Sequence, residues 1–290
     1  ALHLTESMQP LAALMHIHYL KKNITILFFF ALFIVGCAIP KLTIQESLLK
    51  NSDNDTLVIN ERNFFVNEFT GDSLIKKWEN RINGGFNFNS FLGIDSLIFV
   101  NDLSGRIYCF NIFTGKLIGG IKLKGSVYSK PIIRNFDIIF PLINKGAETS
   151  SLVFYDLYNS KINQEVEIKD LITNEILLHK NGIVSVGKNG SIFQHDFRGN
   201  VILEINSNSR INSNPVLIKN NLFVANEFGE ILIIDLGAKK IIERIKISDH
   251  PLNHLSADNH VIFVGDSNGE LFSFDTQKMK IRWTFKTNSN

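Results

Sequence analysis

Few residues in this chain have the type and spacing to do chemistry. The two cysteines, Cys37 and Cys109, lie far apart, and two cannot build a disulfide framework or a four-cysteine zinc site. Cys109 sits inside the apolar run Ile107-Tyr108-Cys109-Phe110 and reads as a buried free thiol. His250, His254 and His260 form the one histidine cluster. A metal site needs two or more ligands on one face with acidic support. Pro251 breaks the helix that would align the first pair, so these histidines are expected in a loop between repeats. Asp53-Asn54-Asp55 lacks the spaced ligands and glycine of a calcium loop. Gly84-Gly85 and Gly119-Gly120 have no phosphate-loop context. Ser73, in Gly71-Asp72-Ser73-Leu74, would need a distant Asp-x-x-His partner to act as a nucleophile. No catalytic residue, metal ligand or cofactor is predicted.

The chain has 290 residues, with 30 Lys+Arg against 28 Asp+Glu. That near balance argues against a dedicated nucleic-acid binder. At 44% hydrophobic and 20% charged, extended disorder is excluded. Twenty-four phenylalanines, with abundant Ile and Val, lean toward strands.

Self-comparison shows a repeat. SGRIYCFN (104–111), SSLVFYD (150–156), NGSIFQHD (189–196), FGEILIID (228–235) and NGELFSFD (268–275) each hold a small turn residue, an apolar strand and a terminal Asp or Asn. The turn positions are Gly105, Ser150, Gly190, Gly229 and Gly269. The terminal positions are Asn111, Asp156, Asp196, Asp235 and Asp275, successively 45, 40, 39 and 40 residues apart. A weaker copy, ERNFFVN (61–67), precedes them. A strand comes before each copy and another follows it, and opening strands are clearest at 129–133 and 213–218. Four short strands per ~40 residues is the signature of a propeller blade. The fold class is therefore all-β, a propeller of about six four-stranded blades. Each turn Gly supplies a positive φ, and each terminal acid is expected to hold the next turn by bonding backbone amides. Six copies of an acid or its amide are architecture rather than six active sites. Gly71-Asp72-Ser73-Leu74 occupies the turn slot that Phe113-Thr114-Gly115-Lys116-Leu117 fills one blade later, so Ser73 is read as a turn residue.

The N-terminus reads as an address. Lys21-Lys22, the apolar run Ile24 to Val35 and a small residue form a secretory signal. Its 12 apolar residues span only ~18 Å, short of a ~30 Å bilayer core. The alternatives are a buried helix or an uncleaved anchor. Ile34-Val35-Gly36-Cys37 resembles a bacterial lipobox, which implies cleavage before Cys37 and acylation of its thiol. Ala38, rather than Asp, after that cysteine implies the outer membrane. Residues 1–14 are read as upstream read-through with Met15 a sensible start, 15–36 as a signal peptide with its helix, and 37–290 as the propeller.

LSGRIYCFNIFTGKLIGG followed by SVYSKPII resembles the PQQ-like propeller repeat, over residues 42–290. The resemblance implies docking of blades through tryptophan, matched at Trp78 and Trp283; the corresponding positions elsewhere are Gly119, Gln164, Leu203 and Glu243. Thr-Gly recurs at 70–71 and 114–115. A lipid-anchored PQQ-like propeller is similar to the accessory lipoproteins of outer-membrane β-barrel assembly. That similarity implies a non-enzymatic, eight-bladed scaffold on the periplasmic face, with barrel-assembly proteins as partners. Residues 37–290 hold about six units of ~40 residues, so the reading frame is either part of an eight-bladed ring or a six-bladed ring. Other readings are a periplasmic propeller binding a small ligand or envelope polymer, and a fragment of a PQQ-dependent dehydrogenase. The latter is disfavoured because Cys37 and Cys109 are not vicinal.

Overall fold

The computed structural model describes residues 39–44, 76–82, 84–87, 90–180 and 182–287. The chain divides into two units, Ala1–Pro40 and Lys41–Asn290. The expected signal segment, Cys37, the copy at 61–67, Asp53-Asn54-Asp55 and Gly71-Asp72-Ser73-Leu74 lie outside the described residues.

The second unit is all-β among the described residues and forms five consecutive antiparallel sheets, numbered here as blades one to five. Blade one is β1 (Phe91–Ile94), β2 (Leu97–Asn101), β3 (Arg106–Asn111) and β4 (Leu117–Lys122). Blade two is β5 (Gly125–Ser126), β6 (Ile132–Arg134), β7 (Asp137–Asn144), β8 (Ser150–Asp156) and β9 (Lys161–Ile168). Blade three is β10 (Leu177–His179), β11 (Gly182–Val186), β12 (Ser191–Asp196) and β13 (Val201–Asn206). Blade four is β14 (Val216–Ile218), β15 (Asn221–Ala225), β16 (Glu230–Asp235) and β17 (Lys240–Lys246). Blade five is β18 (Leu252–Asp258), β19 (Val261–Asp266), β20 (Glu270–Asp275) and β21 (Lys280–Lys286).

The middle strands are apolar on both faces because each sheet is covered by its neighbours. Every residue of β8 and of β11 is buried. Separate apolar clusters fill the spaces between successive blades, such as Leu232 and Ile234 with Val184 and Val186, and Phe223 with Phe272 and Phe274. The fourth strands form the outer edge, and all seven residues of β21 are exposed. Each blade carries a β-bulge at the same register point between its third and fourth strands, at Cys109/Phe110, Phe154/Tyr155, Gln194/His195, Ile233/Ile234 and Ser273/Phe274. The sequence repeat is thus also a repeat of local twist.

Three expectations are corrected. Ser150 is no turn residue: it opens β8, opposite Ile143, and its hydroxyl accepts from Ile172 N at 2.8 Å. That hairpin is longer, and its positive-φ glycine is Gly146, at +74°. The opening strand expected at 129–133 starts only at Ile132, as β6, and the separate two-residue β5 upstream of it also pairs with β7. Pro141 faces the gap between them, where its missing N–H breaks no ladder. His254 stands within β18 at a bulge, not in a loop.

Lys41–Ile44 is an element that periodicity does not reveal. Leu42 and Ile44 are fully buried in the cluster between blades one and two. Leu42 N donates to Gly120 O at 3.2 Å and Ile44 N to Leu157 O at 3.1 Å. The Leu42 carbonyl accepts from Tyr155 Oη at 3.2 Å and Ser160 Oγ at 2.8 Å.

Candidate functional site

The repeated acids fold the hairpins between third and fourth strands. In every described blade one side-chain oxygen accepts two backbone amides just downstream. Asn111 takes Phe113 and Thr114, at 3.0 and 2.9 Å. Asp156 takes Tyr158 and Asn159, both at 2.8 Å. Asp196 takes Arg198 and Asn200, at 2.9 and 2.8 Å. Asp235 takes Gly237 and Ala238, at 2.8 and 2.9 Å. Asp275 takes Gln277 and Lys278, both at 3.0 Å. Hydrogen bonds from Asn200 hold the Asp196 carboxyl below its ordinary range, and the Lys278 amide does the same for Asp275. At Asp156 burial works the other way, but bonds from Asn159 and Tyr158 outweigh it.

The hairpins between second and third strands use glycine and a second set of caps. Gly105, Gly190, Gly229 and Gly269 have φ of +81°, +98°, +76° and +78°. A Cβ on Gly229 would also run into the Ser248 carbonyl. Asp102, Asn226 and Asp266 cap these turns from their first position, each accepting the amides two and four residues on. In blade three Gly187 stands at that position. Asp170 takes over, accepting from Asn189 N and Ser191 N, both at 3.1 Å.

The tryptophans stand differently. Trp78 docks on the blade-one hairpin: Nε1 donates to Ile112 O at 2.7 Å, the ring lies 6.2 Å from Phe110, and any side chain at Gly115 would strike it. Gln164, at the corresponding position of blade two, reaches the next hairpin in the same way. Its Nε2 donates to Arg198 O at 2.6 Å, beside Gly199. Trp283 packs on Phe263 of its own blade, ring centres 6.0 Å apart, and stays 44% exposed.

Blade two carries a cleft of about 420 Å³. It is formed by the β6–β7 and β8–β9 hairpins and lined by Asn135, Phe136, Asp137, Asp156, Tyr158, Asn159 and Asn163. Asp137 stands directly opposite Asp156 in the ladder. Asn163 Nδ2 donates to Asp137 Oδ1 at 3.3 Å. Phe136 and Tyr158 meet edge to face at 6.2 Å, and Tyr158 is 61% exposed. Burial, reinforced by the Asp156 charge, pushes the Asp137 carboxyl up, against the hydrogen bond from Asn163 and the charge of Arg134.

Cys109 is a buried free thiol, pushed up to about 12 by burial. No group of metal-ligating side chains converges among the described residues. No described helix is long and apolar enough to cross a membrane.

Repeated four-stranded blades, with the same bulge and the same capped hairpin between third and fourth strands, define a β-propeller. Among solved structures, the crystal structure of BamB from Moraxella catarrhalis is similar, with a TM-score of 0.53 and 15% identity, over 66% of this chain and 58% of that one. The chain therefore spans about 58% of that structure's length. At this identity the likeness establishes the fold. No protein-family model matches the sequence, and no curated protein matches it either.

Proposed function

We propose that this chain is a non-enzymatic, lipid-anchored scaffold in the assembly of outer-membrane β-barrel proteins, held on the periplasmic face by acylated Cys37. The observation that carries the reading is the likeness of its propeller to that of BamB from Moraxella catarrhalis. The Ile34-Val35-Gly36-Cys37 segment supports the anchor, because acyl chains hold a protein on a bilayer at ~0.8 kcal/mol per buried CH₂. In this reading residues 15–36 are the signal peptide and 37–290 the mature propeller. The repeated acids and glycines are occupied in turn geometry, so the blade-end hairpins are left for contact with partners. Affinity purification from detergent-solubilised membranes tests it. Recovery of the barrel-assembly subunits is expected. Their absence, with a quinone chromophore in the purified protein, would replace the scaffold by a cofactor enzyme.

A further inference from the structure

We propose that the blade-two cleft, where Asp137 faces Asp156 beside Phe136 and Tyr158, binds an arginine side chain presented by a partner protein. The source of that arginine rests on the scaffold reading; the chemistry of the cleft does not.

The cleft departs from the other blades at the positions that line it. Opposite the hairpin cap, where blade two has Asp137, the other blades have Leu97, Gly182, Asn221 and Val261. At the bulged residue, where blade two has Asn163, they have Ile118, Ile202, Ile242 and Arg282. The four other blades close the same hairpins without a second carboxylate. Like charges directly opposite one another in an antiparallel pair are destabilising. The bond from Asn163 holds Asp137 in the hairpin but leaves that repulsion in place, and a ligand that separates or neutralises the two charges would relieve it.

The molecule provides that neutralising charge only in part, through the field of Arg134. Arg134 and Lys161 lie across their hairpins from Asp137 and Asp156, yet neither makes an ion pair with them among the described residues. The Arg134 guanidinium is drawn instead over the Phe197 ring of blade three, 3.8 Å from its centre. Asp156 is committed to its hairpin amides and to Asn159 Nδ2, whereas Asp137 keeps an oxygen for a ligand. A planar guanidinium suits this arrangement better than an ammonium. It donates to a carboxylate through two parallel bonds and stacks on an aromatic ring, and Tyr158 is an exposed ring lining the same cleft as the two carboxylates. A neutral sugar would also use carboxylates and an aromatic ring, but it would leave the repulsion between Asp137 and Asp156 in place.

Acetyl-Gly-Arg-Gly-amide, titrated into the purified propeller and followed by NMR shifts of Tyr158 and Phe136, tests the assignment. Saturable binding with a Kd of about 1 mM (near −4 kcal/mol) is expected. It should weaken at least tenfold in Asp137→Asn and when citrulline replaces arginine. Absence of saturable shifts, equal binding of the citrulline peptide, or chitotriose binding unchanged in Asp137→Asn would each overturn it. Folding of the variant is checked by its unfolding midpoint, and Tyr158→Ala gives a second, independent loss. Because the peptide assay contains no membrane protein, its failure is separate from failure to recover assembly subunits.

Discussion

Asp170 fills, in blade three, the space that a side chain at position 187 would need, and Gly187 is the residue that leaves it open. Asp170 is 1% exposed and accepts from the Leu171, Asn189 and Ser191 amides, at 2.7, 3.1 and 3.1 Å. The last two correspond to the amides that Asp102, Asn226 and Asp266 cap from within their own hairpins. One cap has been exchanged for another that arrives from 17 residues upstream. Asp170→Ala leaves buried amides unsatisfied and should lower stability by about 2–4 kcal/mol. Gly187→Asp alone should also destabilise, through collision. The double variant restores the layout of the other blades and should lie within ~1 kcal/mol of the parent. Urea unfolding of the four proteins gives the coupling directly.

This exchange also shows what the sequence could reveal. Hairpin chemistry is local: a Gly and an Asp or Asn at fixed spacing mark four of the five described blades, so their strand order follows from one chain. The Asp170 cap is not local, and no spacing rule links it to Gly187. Lys41–Ile44 has no alternation of its own and is held by what it meets. Ser150 reads as a turn because the longer hairpin before it hides Gly146. Asp137 reads as an ordinary strand start, and only its register partner, Asp156, marks it as unusual. Gln164 aligns with a lost tryptophan, yet it reaches the same hairpin by a different polar group.

Inter-blade docking should be concentrated at Trp78. Trp78→Ala should cost about 3 kcal/mol, in the range for large aromatic deletions. Trp78→Phe keeps the contact with Phe110, loses the bond to Ile112 O, and should cost about 1 kcal/mol. Trp283→Ala, on the exposed face of β21, should stay within ~0.5 kcal/mol in this chain. Denaturant midpoints of the three variants rank them.

Gly229→Ala combines a φ of +76° with a clash against the Ser248 carbonyl. Left-handed geometry alone costs a non-glycine residue about 1–2 kcal/mol, so the total should exceed that. Thermal unfolding checks it, and Gly146→Ala is the control, since open space surrounds that position and only the φ penalty applies.

Asp137 should weaken the fold at neutral pH. Its folded pKa is raised by burial and by Asp156, with Asn163 and Arg134 opposing. The folded state therefore holds that proton more tightly than the unfolded one. Stability falls as pH rises from the unfolded value near ~3.9 through the raised folded value, and stays lower above it. Asp137→Asn should raise stability at pH 7 by ~0.5 kcal/mol, about 1–2 °C in Tm, and leave it unchanged near pH 3. A gain that persists at low pH would contradict this origin.

Cys109 should resist alkylation. With its thiol at about 12, almost no thiolate exists at pH 8, and the thiolate is the nucleophile. Iodoacetamide followed by mass spectrometry should leave Cys109 unmodified in the native protein and modify it fully in urea.

The scaffold reading is tested most directly by the amount of folded, heat-modifiable outer-membrane β-barrel protein in cells from which this chain has been deleted. A fall is expected, which the wild-type chain restores and Cys37→Ser restores poorly. Unchanged barrel levels in the deletion strain, or full restoration by Cys37→Ser, would contradict it.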